Sequence, residues 1–319
     1  MMSKVDHPLS EKGRQQAEKL RKNLASLSEA KQGWAEKLRS PGVLFCSPLT
    51  RAVQTAAIAL KDIYLAEEHH PIVLLPSARE KKSVLGFDSV GAEVGPEILK
   101  KVHREMRNLY GRSGSMLDAF EKKLRFDVEE VAKRWWSRVV DTEEDIHSRL
   151  EEFMSQLISV PEDALVVVGH SHFFRDVFAK YMSQEYKSEQ PGWTYELTRK
   201  VLPNCGVAMV TLNLVEGVIN EPHITQVDLL FGAKLVLSGS TSSDCGQQQQ
   251  QQGSKKRGRG GGRSDKTTQR NAKRKKQQND VKSSSSSDNG ADRNVFDGAA
   301  AMAEERTKHA PTTNNYTSM

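Results

Sequence analysis

The chain has 319 residues, 37% hydrophobic and 28% charged, with a formal net charge of +6. That length allows one large domain or two small ones. Its three cysteines, odd in number and without metal-ligand spacing, exclude a disulfide framework, and no apolar run approaches the roughly 18 residues that cross a bilayer.

The first residues, MMSKVDHPLSEKGRQQ, have no apolar core and do not read as a signal peptide. Ser10 can cap a helix running to about Leu27, with Ala17, Leu20, Leu24 and Leu27 on one face. GVLFCS (42–47) is too short for a helix and reads as a buried strand. LTRAVQTAAIALKDI (49–63) follows as a helix with Ala52, Ala56, Ala59, Leu60 and Ile63 inward, and PIVLLPS (71–77) reads as a second strand. Residues 90–140 are expected to be mostly helical, with Trp135 and Trp136 as packing residues. A helix begins after Thr142, whose T-x-x-D pattern with Asp145 is a cap; Ile146, Leu150, Phe153 and Leu157 make its apolar stripe. ALVVVG (164–169) is a third strand, 172–183 a helix, and GVAMVTL (206–212) and HITQVDLLF (223–231) two more strands.

Apolar strands alternating with amphipathic helices predict an α/β three-layer sandwich: a mostly parallel sheet with helices on both faces. In such sheets ligands bind beyond the C-terminal ends of the strands. From Ser238 the composition changes to a Gln run, KKRGRGGGR, KRKK and a Ser run. Residues 238–319 carry 15 Lys and Arg against 8 Asp and Glu, a net of +7; residues 1–237 are near neutral at −1. With few large apolar residues to offset the entropy of ordering, 238–319 is expected to be a disordered basic tail, and 1–237 the folded domain.

Three polar residues stand at the predicted strand ends. Arg51 opens a helix directly after a strand, where its planar guanidinium and the helix N-terminus both suit an oxyanion. Glu80 follows the second strand in PSARE, within reach of the same crevice. His170 ends the third strand. Each has a plainer reading: a surface arginine, a member of the charged run REKK, a loop histidine. Together they suggest a phosphate pocket in which Glu80 protonates a leaving alkoxide. His172 reads as a local helix-start residue, and Cys46 as a buried small apolar one.

CSPLTRAVQTA (46–56), ARE (78–80), VVVGHSHFFRDVF (166–178), PNCGVAMVTL (203–212) and HPLSEKGRQQA (7–17) occur in an order and spacing that resemble the histidine phosphatase superfamily, the phosphoglycerate mutase-like fold. The resemblance covers residues 6 to about 230. It implies a phosphomonoester hydrolase, a phosphatase rather than a mutase, working without a metal. It further implies Arg51 and His170 as holders of the phosphoryl oxygens, with His170 and Glu80 the catalytic residues and Glu80 the acid. That family attacks phosphorus with the histidine of an R-H-G motif, and no R-H-G occurs here. His7 sits on a loop before a helix and is not expected to replace it. The resemblance therefore implies an incomplete domain whose first central strand is missing. The alternatives are a start at an internal methionine of a longer chain and a short form that has lost catalysis. Negligible turnover is expected of residues 1–319 as given.

The partner expected is a phosphorylated substrate; no cofactor motif is present, neither a Walker loop, a dinucleotide fingerprint nor a metal cluster. A second reading is a binding protein acting through its tail. Residues 255–276 hold 11 Lys and Arg against 1 Asp; they resemble an Arg/Gly RNA-binding tract and a bipartite nuclear import signal. The expected location is cytoplasmic, or nuclear if that signal acts.

Overall fold

A continuous apolar strand must be covered on both faces, so VLFC and ALVVVG lie at the middle of the molecule. The computed structural model describes residues 5–26, 33–66, 71–82, 89–111, 114–213, 223–238 and 300–307. All of these fall in one unit, Met1–Ser240 with Phe296–Met319; the second unit, Thr241–Val295, lies outside the described residues, and with it the basic stretch 255–276 and Cys245.

Chain order gives α1 (Glu11–Ala25), α2 (Gly33–Arg39), β1 (Val43–Cys46), α3 (Thr50–Ala59), α4 (Lys61–Ala66) and β2 (Ile72–Leu74). There follow α5 (Pro96–Tyr110), α6 (Ser115–Lys122), β3 (Phe126–Asp127), α7 (Glu143–Ser159), β4 (Ala164–Gly169) and α8 (Ser171–Tyr181). Then come α9 (Gln184–Glu189), α10 (Pro191–Arg199), β5 (Lys200–Val201), β6 (Val207–Asn213), β7 (His223–Leu229), β8 (Val236–Leu237) and β9 (Ala300–Thr307). β3, β2, β1 and β4 pair in that order, all parallel. β5 and β8 form a separate antiparallel pair.

Alternate residues of β4 face opposite layers, as the period of two requires. Val166 and Val168 pack with Leu20 and Leu24 of α1, Ala52 and Val53 of α3 and Val102 of α5. Leu165 and Val167 pack with Phe153 and Leu157 of α7 and Phe173 and Val177 of α8. The three layers are those the sequence predicts, and Trp135 is buried as expected. Thr142 and Asp145 form the full reciprocal cap of α7, with Asp145 N donating to Thr142 Oγ1 at 3.1 Å.

Several boundaries differ. The run 49–63 breaks at Leu60 into α3 and α4. The strand expected to reach residue 77 stops at Leu74, because Pro76 has no N–H for a ladder and starts a 3₁₀ turn instead. Residues 184–199, not assigned from sequence, form α9, capped by Ser183, and α10, opened by Pro191.

The main correction concerns the predicted empty central position and disordered tail. β9 fills that position, between β4 and β6. It runs antiparallel to β4, with Ala300 opposite Gly169 and Glu305 opposite Ala164, and parallel to β6, with Ala301 opposite Val207. Two strand edges facing each other across a gap carry rows of unpaired N–H and C=O groups. AAMAEERT, free of Gly and Pro, can satisfy both rows at once. The rest of the predicted tail beyond Ser238 lies outside the described residues. Among the described residues, no helix is long and apolar enough to cross a membrane.

Candidate active site

β2, β1 and β4 are neighbours and parallel, so their C-terminal ends share one edge. The three predicted site residues lie just past these ends. Arg51 stands in the first turn of α3, a helix buried along its whole length, and is itself 2% exposed. The start of α3 is fixed by Asp6. Thr50 N donates to Asp6 Oδ1 at 2.7 Å and Thr50 Oγ1 to Oδ2 at 2.6 Å. Lys101 of α5 donates to Oδ2 at 2.7 Å and to the Asp6 carbonyl at 2.8 Å. Asp6 takes a φ of 50°, in the left-handed region that Asp tolerates better than most residues. The HPLSE segment beyond it is tied to α3 by Leu9 N donating to Gln54 Oε1 at 2.7 Å.

His170 is the N-cap of α8 by its backbone and is fully buried. The turn into α8 needs Gly169, since a Cβ there would come within 2.8 Å of the Phe174 ring. His170 Nε2 lies 2.8 Å from Ser47 Oγ, and Ser47 N donates to the Val168 carbonyl at 2.8 Å. His170 Nδ1 finds no hydrogen-bond partner among the described residues. Burial, then the positive charge of Arg51, pushes its pKa down to about 3, against an opposing pull from Glu80. The ring is therefore neutral at pH 7. A buried ring nitrogen left unpaired costs free energy that a bound ligand recovers.

Glu80 has a side chain 15% exposed, and its Oε2 lies 3.6 Å from His172 Nδ1. Its Oε1 accepts the Lys81 N–H at 2.9 Å. Burial raises its pKa, but the His172 hydrogen bond and the positive charge of Arg51 outweigh burial and bring it to about 2. Glu80 is thus a carboxylate here. Approach of a phosphate dianion acts the other way and raises its pKa.

The structure thus brings Arg51, His170 and Glu80 into one electrostatic neighbourhood at the sheet edge. Sequence reasoning missed two members. Ser47, inside the quoted CSPLTR, braces His170. His172, read as a plain helix-start residue, faces Glu80 and lies 2.8 Å from Ser238 Oγ. Spacing offers a signal only for His172, which stands two residues past His170 on the same turn. Cys46 is buried as expected, its thiol pushed up by burial and away from thiolate chemistry.

No curated protein and no solved structure matches the chain. Residues 1–80, which include Arg51, Glu80 and the whole of α1, β1 and α3, match the model of the histidine phosphatase superfamily, branch 1.

Proposed function

We propose that residues 1–237, with β9 completing their sheet, are a histidine-phosphatase-type domain that grips the phosphoryl group of a phosphomonoester. Arg51 and His170 hold the oxygens, and the first amides of α8 add donors beside them. The observation that carries this reading is the buried, neutral His170, with one ring nitrogen braced by Ser47 and the other unpaired, beside a buried arginine. Fixed donors of this kind stabilise charge on a transferring phosphoryl group. Where an attacking histidine is supplied, Glu80 serves as the proton donor once the anion has raised its pKa, or once a substrate monoanion has delivered the proton to it.

The covalent route needs an attacking histidine, and the 319 residues contain no R-H-G triplet. We therefore assign phosphate binding with negligible turnover to this chain. Saturable binding of inorganic phosphate, followed by calorimetry or ³¹P NMR, tests the reading. Loss of a charge-assisted contact in Arg51→Ala is expected to weaken binding about tenfold or more. Absence of binding, or binding indifferent to Arg51→Ala and His170→Ala, refutes it. Steady hydrolysis of an aryl phosphate, abolished by His170→Ala, would overturn the assignment of negligible turnover. A separate activity is proposed for residues 255–276, whose 11 cations favour salt-dependent RNA binding; binding that survives without the domain supports it.

A further inference from the structure

Glu80 belongs to a stretch, 79–82, without regular secondary structure, so its own backbone ladder does not fix it. Two charged side chains do. Arg149 lies on α7 between Ile146 and Phe153, three residues after one and four before the other, and so on the apolar face of that helix. Its guanidinium lies 5.6 Å over the ring of Phe173 in α8. Its Nη1 donates to the carbonyls of Arg79 and Glu80, each at 3.4 Å. Its Nη2 pairs with Asp141 Oδ2 at 3.3 Å, both side chains being 4% exposed. Asp141 holds the other side of Glu80: its Oδ2 accepts the Lys82 N–H at 2.9 Å, and its own N–H donates to the Lys82 carbonyl at 3.4 Å.

We propose that Arg149 and Asp141 are positioning residues for Glu80, a buried ion pair gripping the backbone on either side of it. The inference rests on the reading of Glu80 as proton donor. Burying two opposite charges gives little stability over an apolar pair of the same volume. What this pair supplies is placement. The planar fork of arginine reaches two successive carbonyls and a carboxylate at once, which a lysine ammonium cannot do in that geometry. The pair also joins the Glu80 segment to the end of the loop 134–141, which carries Trp135, Trp136 and the exposed Val139 and Val140.

The test follows the Glu80 carboxyl carbon by ¹³C NMR in the full chain, with the resonance assigned by its loss in Glu80→Gln. In the unaltered chain it stays in the carboxylate position throughout the range in which the protein is folded, because His172 and Arg51 hold its pKa low, at about 2. Asp141→Asn and Arg149→Lys are compared with it. Charge alone predicts a lower midpoint in Asp141→Asn, which removes a nearby anion, and no change in Arg149→Lys. Loss of placement predicts a rise of at least about one unit in both, as the carboxylate leaves its cationic partners. A rise in either folded variant supports the proposal. A midpoint unchanged or lowered in the folded variants overturns it. The Glu80 resonance is read without phosphate present, so failure of the phosphate-binding reading would register separately.

Discussion

Removing the Asp6 carboxylate is the sharpest test of how the helix that carries Arg51 is held. Three bonds end on that carboxylate, from Thr50 N, Thr50 Oγ1 and Lys101 Nζ. Loss of the cap on α3 in Asp6→Ala costs about 1 kcal/mol. Lys101 is then a buried cation without its carboxylate, and breaking a buried pair from one side costs about 3–5 kcal/mol. Its remaining bond to the residue 6 carbonyl favours the lower end. A total of about 4 kcal/mol is expected, a large share of the 5–15 kcal/mol that stabilises a typical domain. Urea unfolding of the full chain at fixed pH measures it, with an unchanged m-value as the sign that only the native state is affected. Asp6→Ala combined with Lys101→Met removes both charges and is expected to recover about half of the loss. A single-variant loss below about 1 kcal/mol would refute the reasoning, since the cap alone accounts for that much. So would a double variant no better than the single.

Two further outcomes follow from the same edge of the sheet. Gly169→Ala drives a methyl into the ring of Phe174, which is fully buried and has no free side to move to. A loss of about 1–3 kcal/mol is expected in thermal or urea unfolding, and an unchanged midpoint would show that α8 can shift to admit it. His170 makes stability depend on pH. Its pKa falls from 6.5 in the open chain to about 3 in the fold, so the unfolded state takes up the proton first. The contribution is complete above pH 6.5 and drains away as pH falls toward 3. Between pH 7 and 5 the native chain is expected to lose about 2 kcal/mol more than His170→Asn. Parallel pH profiles for the two would contradict a buried neutral ring.

What was legible in the sequence was local. ALVVVG is six residues of uninterrupted apolar strand ending at a glycine, and it placed His170 at the C-terminal edge of the sheet. Thr142 and Asp145 announced α7 because a cap needs only four adjacent residues. Arg51 and Glu80 were found because each follows a strand directly. The supports were not legible, because their partners are distant in the chain. Nothing near Ser47 points to His170, and nothing near Asp6 points to Lys101. Arg149 did leave a trace: a charge on the apolar face of α7, which calls for a buried partner. The partner, Asp141, sits in a loop with no period to read. β9 was hidden for another reason. Its neighbours in sequence are polar and repetitive, and its pairing is dictated by edges formed elsewhere.

The antiparallel entry of β9 bears on how the molecule is assembled during synthesis. Every other strand of the large sheet has left the ribosome before Ala300–Thr307 is made. Until then β4 and β6 each present an open edge in the interior of the sheet, the arrangement most prone to pairing with another chain. A sheet in which an interior strand follows its neighbours in the chain must hold its gap open without collapsing or recruiting a stranger. Its longest-range pairings are also the last to close, which slows the final step. The nascent chain is therefore open along two edges that the finished sheet closes.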